Sequence, residues 1–248
     1  FEARQVEIFG EMAKKGYIYK GMKAVYWCPE DRTALAEAEI EYAEDECDSI
    51  YVRFKLTDDP NGVLAKYGIP LDKAWIVIWT TTPWTLPSNL AVAVHPDVEY
   101  VHVKADDGQE YLLAEARLGV YAKEFGDPVT VASYRGRDLQ NLSYTPPFDF
   151  FAGHPNAHRV LLADYVTTED GTGLVHQSPA FGEDDMLSCR AYGLPMVNPI
   201  RPDGTFAPDV PMVGGQFFKT ADKALVADLR PGLHVHHAGG VRREAKQG

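Results

Sequence analysis

The sequence predicts a mixed α+β fold, with a β-barrel-like core decorated by helices. It contains many short apolar segments of the kind typical of strands, few stretches with helical periodicity, and Pro, Gly, Asn and Asp between the strands. Short strands must bury one face and protect their edges, which a curved or closed sheet achieves. With 248 residues, 45% of them hydrophobic, the chain is long enough to build such a core.

The first segment, residues 2–15, predicts a helix. Val6, Phe9 and Met12 fall on one face, the first turn is acidic, and Gly16 follows the basic last turn. We expect residues 1–43 to form a connector helix and an extended arm, residues 44–230 to form the core, and residues 231–248 to form an irregular or appended tail.

A strand is predicted where apolar residues alternate at Ile50, Val52, Phe54 and Leu56. Further strands are predicted at 74–80, 90–94, 100–103, 111–113, 129–133 and 160–166. A helix is predicted over 183–192, because Gly193 and then a proline follow it.

The composition and net charge of the chain argue against several classes of function. There is no apolar run of the roughly 20 residues that a membrane span needs and no signal-peptide pattern, so a cytoplasmic protein without membrane contact is expected. Cys28, Cys47 and Cys189 are far apart and the eight histidines lack ligand spacing, so no disulfide framework and no metal site is expected. The net charge of -12 argues against broad nucleic-acid contact. A protein that holds only a terminal nucleotide would need no basic surface.

The first segment that could form part of a functional site is WTTTPWTLPSN, residues 79–89. An apolar strand runs there into a turn that carries several hydroxyl groups and two prolines. Proline restricts the backbone, so this turn can hold hydroxyls in fixed directions toward a substrate or a water molecule. The alternative is structural: the threonines bond to local backbone while Trp79 and Trp84 pack in the core.

The second segment is GTGLVHQSPAFGEDD, residues 171–185. It predicts a strand, a loop and the start of a helix. A carboxylate in the first turn of a helix is stabilised by the helix dipole, so Asp185 is expected to stay ionised and could hold a substrate ammonium, with His176 facing the same cleft. The alternative makes Asp184 or Asp185 an ordinary acid at a helix end and His176 a structural histidine.

Together and in this order, the two segments resemble the signature segments of the editing insertion of isoleucyl-tRNA synthetases. The stretches 25–42 (VYWCPEDRTALAEAEIEY) and 144–148 (YTPPF) also resemble this family, and the resemblance covers residues 1–230. The chain departs from the family in three places: Cys28 is followed by Pro29, Glu30 and Asp31 and so lacks the Cys-x-x-Cys pair of some relatives, Ser178 stands where alanine is common, and residues 234–248 do not follow the family pattern. The HIGH-type and KMSKS-type signatures of the synthetic site are absent, so aminoacylation is not expected.

The resemblance implies the barrel-like editing-domain fold of the valyl, isoleucyl and leucyl enzymes, together with a hydrolytic function. The expected substrates are valine on the 3′ end of isoleucine tRNA and valyl-adenylate, and the expected partner is the rest of the synthetase. No cofactor is expected for editing, because ATP and magnesium belong to the synthetic domain.

The resemblance also assigns roles to individual residues. Asp185 would bind the α-ammonium group, His176 would exclude the additional methylene of isoleucine, and Thr82 would lie nearest the scissile bond. The remaining substrate-binding residues would be Thr80, Thr81, Trp84, Thr85 and Asn89.

Two alternatives remain open. One is an editing domain of valyl or leucyl type, and the other is a non-catalytic module that binds RNA or adenosine. Isoleucine and valine differ by one methylene, worth only about 1–3 kcal/mol in binding, which is why a second, smaller pocket is needed to remove valine.

Overall fold

The computed structural model describes residues 1–229 and 241–247; for residues 44–46 and 241–247 it describes the backbone alone. The α-helices of these residues are α1 (Glu2–Lys14), α2 (Glu115–Tyr121), α3 (Glu183–Ala191) and α4 (Phe218–Leu229). Short 3₁₀ helices cover Glu37–Glu39, Ala65–Tyr67, Pro83–Ser88 and Gly136–Leu139.

The strands of the described residues run through the whole chain. They are β1 (Tyr26–Cys28), β2 (Thr33–Leu35), β3 (Glu41–Cys47), β4 (Ile50–Asp58), β5 (Ala74–Thr80), β6 (Ala91–Val94), β7 (Glu99–Lys104), β8 (Glu110–Ala114), β9 (Val129–Arg135), β10 (Ser143–Thr145), β11 (Arg159–Leu162), β12 (Leu174–Gln177) and β13 (Val241–Gln247).

Nine of these strands form one mixed sheet in the order β12-β6-β11-β10-β4-β5-β8-β7-β9. The pairs β6–β11 and β5–β8 are parallel, and the other neighbours are antiparallel. The sheet curls so that β12 lies close to β5, although the ladders of the described strands do not join into a closed ring. The predicted α+β class is confirmed, and the barrel-like core is an open, curved sheet.

The core lies against the inner face of this sheet. Strand β4 shows why: Ile50, Val52, Phe54 and Leu56 are each at most 1% exposed while the residues between them are only partly covered. Since side chains alternate across a strand, this pattern places one face of β4 in the core. The predicted alternation is confirmed.

Several predicted elements agree closely with the structure. The strand predicted at 74–80 is β5, the helix predicted at 183–192 is α3, and Gly193 follows α3 with the positive φ of 70° that glycine adopts readily. The strand predicted over 160–166 ends earlier, as β11, and the backbone then turns. Helix α4 was not predicted, although Ala221, Leu225 and Leu229 bury one of its faces.

The two ends of the chain differ from the core. Helix α1 forms where predicted, but none of its residues is buried. The expected irregular tail contains β13, which pairs with β3 in a separate two-stranded sheet. Residues 230–240 and 248 lie outside the described residues, and so do the tail histidines.

Among the described helices, none combines the length and the apolar character required to cross a bilayer.

Candidate functional site

The threonine-rich segment forms a tight turn at the end of β5. Thr82 precedes the 3₁₀ helix Pro83–Ser88, whose first residue is proline, a residue already restricted to helical φ. The hydroxyl oxygen of Thr80 accepts a hydrogen bond from the backbone N–H of Thr82 at 3.1 Å and lies 3.2 Å from the Thr82 hydroxyl. These bonds fix two hydroxyl groups relative to the backbone.

Three hydrogen bonds join this turn to the second segment. The Thr85 hydroxyl lies 2.8 Å from Nε2 of His176, the Asn89 amide nitrogen lies 2.9 Å from Nδ1 of His176, and the Ser88 and Ser178 hydroxyls are 2.7 Å apart. The two segments, far apart in sequence, therefore form one unit.

The surroundings of His176 define its protonation. The amide nitrogen of Asn89 donates to Nδ1 of His176 and to the Ala91 carbonyl at 2.9 Å, so Nδ1 must accept and Nε2 must carry the proton. Nε2–H then donates to the Thr85 hydroxyl, which donates to the Thr82 carbonyl at 2.8 Å. Burial lowers the pKa of His176 to about 4. The neutral imidazole has no free lone pair, which suits a cleft wall and not a general base.

Asp185 lies in the first turn of α3, as predicted. Its carboxylate accepts a hydrogen bond from the backbone N–H of Ser178 at 3.0 Å and one from the Tyr165 hydroxyl. Burial raises the pKa of Asp185 to about 6, and the neighbouring Asp184 adds to the rise, whereas the two hydrogen bonds oppose it. The prediction considered the helix dipole and the free backbone N–H groups at the helix start. Burial acts in the opposite direction and makes the carboxyl group harder to ionise than the sequence predicts.

A single cleft of about 450 Å³ brings most of the predicted residues together. Its walls are formed by Trp79, Thr80, Thr81, Thr82, Thr85, Tyr165, Val166, Thr167, Asp170, Gly171, Thr172, Gly173, Leu174, Val175, His176, Ser178, Phe181, Gly182 and Asp185. The lining includes two carboxylates and, among the described residues, no lysine or arginine. The arrangement therefore suits a ligand with a positive charge and several hydrogen-bonding groups.

The loop before β12 forms part of the cleft and is held tightly. The Thr172 hydroxyl donates to the Val77 carbonyl at 2.6 Å, and the Tyr100 hydroxyl donates to the Gly173 carbonyl at 2.8 Å. Gly173 has a φ of 79°, and a side chain there would collide with the methyl group of Ala114. Glycine is therefore required at this position.

Two predicted substrate-binding residues do not line the cleft. The ring of Trp84 lies between Phe181 and Phe218, with both ring centroids 4.7 Å away, because its apolar surface is better buried behind the turn. Asn89 is 2% exposed and lies behind His176, where its amide groups bond to protein atoms. Both residues lie behind the cleft wall, so the structure does not bring them into the cleft lining, and their contact with substrate stays a prediction.

Tyr165 and Asp170 line the cleft but were not predicted as site residues. Tyr165 donates to Asp185 and accepts a hydrogen bond from Gln177 at 2.6 Å, so it helps to hold the carboxylate. It follows β11 in a region predicted to be strand, and a strand pattern gives no sign of such a contact. Asp170 could have been noticed, since it directly precedes the second segment.

The described residues contain no group of three or more His, Cys, Asp and Glu side chains arranged to hold a metal ion. No disulfide bond joins Cys28, Cys47 and Cys189 to one another.

Sequence comparisons identify relatives that match most of the chain. The family model of the class I tRNA synthetases (I, L, M and V) matches residues 1–230. An isoleucine–tRNA ligase of Streptomyces coelicolor is 50% identical over 230 residues, which cover 92% of this chain and 21% of the relative. One from a Thermoanaerobacter species is 44% identical over 235 residues, which cover 93% of this chain and 24% of the relative. The chain thus spans 21% to 24% of the length of these relatives.

Solved structures share the fold. The crystal structure of GlLeuRS-CP1 superposes with a TM-score of 0.60 at 16% identity, covering 77% of this chain and 98% of that one. The editing domain of the P. knowlesi cytosolic leucyl-tRNA synthetase gives 0.55 at 11% identity, covering 79% and 98%. With isoleucine–tRNA ligases as relatives in sequence and editing domains as neighbours in fold, the chain belongs to the class I tRNA synthetases and has the fold of their CP1 editing domains.

Proposed function

We propose that the cleft hydrolyses valine from isoleucine tRNA that has been wrongly charged with it, as the proofreading activity of an isoleucine–tRNA ligase. The observation that carries this proposal is that the Asp185 carboxylate, the threonine turn and His176 line one cleft. Such a site offers an anchor for the amino group, hydroxyls for the ester and ribose, and a wall for the side chain.

Charge selects the substrate class. An amino acid attached to tRNA through an ester keeps its α-ammonium group but has lost its carboxylate. Asp185 and Asp170 give the cleft a negative lining, which attracts the ammonium and repels free phosphate. The charge-assisted hydrogen bond from the ammonium to Asp185 is the strongest single contact we propose.

Size then selects the amino acid. His176 is held by hydrogen bonds on both ring nitrogens, so it cannot swing away to admit a larger side chain. Against a rigid wall, the additional methylene of isoleucine causes steric repulsion. A synthetic site cannot exclude the smaller valine in this way. In this proposal valine enters and isoleucine is refused.

The chemistry requires a positioned water molecule. Its oxygen attacks the ester carbonyl carbon, the resulting oxyanion collapses, and the bond between the carbonyl carbon and the ribose oxygen breaks. The proton lost by water ends on that ribose oxygen, releasing valine and tRNA. An aminoacyl ester is already activated, so orientation and hydrogen bonds from the threonine turn, with Thr82 nearest the bond, suffice without a cofactor.

Valyl-adenylate presents the same ammonium, an activated carbonyl and adenosine, so we propose it as a second substrate. The rest of the synthetase is the proposed partner that binds most of the tRNA, and the cytoplasm is the proposed location.

Turnover of Val-tRNA(Ile), measured by loss of the ester, tests this function. The leucyl editing domains among the structural neighbours make editing of leucyl type the second candidate, and threonyl, valyl and norvalyl esters assayed side by side separate the types. We expect valyl ester to be cleaved fastest. Binding of the tRNA end without cleavage of any ester would overturn the proposal in favour of a non-catalytic binding module.

A further inference from the structure

Tyr144 lies behind the cleft, in the YTPPF stretch, and its hydroxyl is buried. The residue is 3% exposed and is the middle residue of β10. Its hydroxyl donates to the Asn89 side-chain oxygen at 2.6 Å. Tyr144 does not line the cleft, so it has no direct role in the proposed function.

The contacts of the Asn89 amide with Tyr144 and with the Ala91 carbonyl together set the direction of the hydrogen bonds that follow. Because the hydroxyl donates to the oxygen of the Asn89 amide, the amide nitrogen faces the other way, toward Nδ1 of His176 and the Ala91 carbonyl. A nitrogen donor at Nδ1 leaves the imidazole proton on Nε2, facing Thr85. One hydroxyl group in the core is thus connected through the Asn89 amide and the imidazole to the hydroxyl of the threonine turn.

We propose that Tyr144 is a positioning residue for substrate selection, which fixes the tautomer and the orientation of His176 through Asn89. The inference rests on the proposed function for its consequence, the refusal of isoleucine, but the state of His176 is measurable without any substrate. In Tyr144→Phe the Asn89 oxygen loses its buried donor, and the amide keeps only its nitrogen contacts. The ring of His176 then becomes less firmly held.

The chain offers a matched control. Tyr134 is also buried, in β9, and its hydroxyl has no hydrogen-bond partner among the described residues. Tyr134→Phe therefore removes the same atom from a similarly buried ring without touching the Asn89 contact. It also lies outside the cleft.

The experiment has two arms, both comparing wild type, Tyr144→Phe and Tyr134→Phe. In the first, ¹⁵N NMR of the His176 imidazole reports which nitrogen carries the proton. Wild type and Tyr134→Phe are expected to show Nε2–H alone, and Tyr144→Phe to show broadened or mixed tautomer signals. In the second, the ratio of deacylation rates for Val-tRNA(Ile) and Ile-tRNA(Ile) is expected to fall about 3- to 10-fold in Tyr144→Phe alone.

Asn89→Asp is a second variant that keeps the Tyr144 contact but removes the donor at Nδ1. It is expected to place a proton on Nδ1 of His176; retention of Nε2–H alone would overturn the inference, even if Tyr144→Phe does not fold. An unchanged His176 spectrum in Tyr144→Phe would overturn the positioning role, and an unchanged rate ratio would overturn its effect on selection. If the wild type cleaves no ester, the proposed function fails while the NMR arm still decides on the positioning.

Discussion

The hydroxyl oxygen of Thr85 lies 2.8 Å from Nε2 of His176, a residue 91 positions later in the chain. This contact joins the threonine turn to β12 and makes one wall of the cleft. Because it uses the proton of a neutral imidazole whose other nitrogen accepts from Asn89, the ring is held as a rigid part of that wall.

Asp185→Asn should reduce deacylation of Val-tRNA(Ile) about 10- to 100-fold in kcat/KM, since a neutral amide replaces the charged partner of the ammonium. Asp184→Asn is the matched control, because Asp184 is the exposed neighbour of Asp185 and does not line the cleft. Equal rates for wild type and Asp185→Asn would refute the anchor role.

The same substitution should stabilise the fold at neutral pH. The folded pKa of Asp185, about 6, lies above its ordinary value of 3.8, so its contribution to stability is greatest below pH 3.8 and is lost as the pH rises through 6. Removing the charge should therefore raise the free energy of unfolding at pH 7.5 by on the order of 1–2 kcal/mol, allowing for partial exposure. Denaturant unfolding of both proteins at pH 4 and 7.5 measures this; a loss of stability at pH 7.5 would contradict it.

The pH dependence of kcat/KM should rise through about pH 6 as Asp185 ionises. It should fall again near the pKa of the substrate amino group, about 8, when the ammonium loses its proton. His176 should add no inflection between pH 5 and 8, because its pKa is about 4. Rates measured from pH 5 to 9 test this shape, and a profile that is flat from pH 5 to 7 would speak against ionised Asp185 as the anchor.

Thr82→Arg should fill the cleft beside the threonine turn and lower turnover of Val-tRNA(Ile) by about 100-fold. The arginine side chain would displace the ester, so its carbonyl carbon would no longer be aligned with the attacking water molecule. Thr82 is partly exposed, so the fold should tolerate the longer side chain. Circular dichroism controls for folding. Wild-type turnover in a folded Thr82→Arg variant would show that Thr82 does not lie next to the reacting ester.

His176→Ala should make the domain attack correctly charged Ile-tRNA(Ile). The additional methylene is worth about 1–3 kcal/mol, so the preference for valine should fall by about 10- to 200-fold. Thr85 and Asn89 would also lose buried partners, which should destabilise the fold by about 1–3 kcal/mol. Deacylation of both esters is compared well below the melting temperature; a variant that still spares Ile-tRNA(Ile) would show that another residue sets the limit.

Local patterns in the sequence predicted much of the fold. The alternation from Ile50 to Leu56 and the glycine after α3 depend on neighbouring residues, and both were correctly interpreted. Helix α4 was missed although its buried positions have helical spacing, and the early end of β11 was missed because apolar residues continue beyond it.

From the sequence, the site was predictable only as two separate segments that could carry functional residues. Their hydrogen bonds, including that between Ser88 and Ser178, depend on how the sheet curls and cannot be read from spacing. The same is true of the burial that raises the pKa of Asp185, and of the Tyr165 hydroxyl that contacts it. Trp84 and Asn89 belong to the first segment, yet tertiary packing places them behind the wall.

We propose that one cleft recognises an ammonium group through Asp185 and limits side-chain size through His176. The most direct measurement is the ester loss from Val-tRNA(Ile) and Ile-tRNA(Ile), each incubated with the wild-type chain under the same conditions. We expect rapid release of valine and little release of isoleucine. Equal release of both amino acids, or of neither, would contradict it.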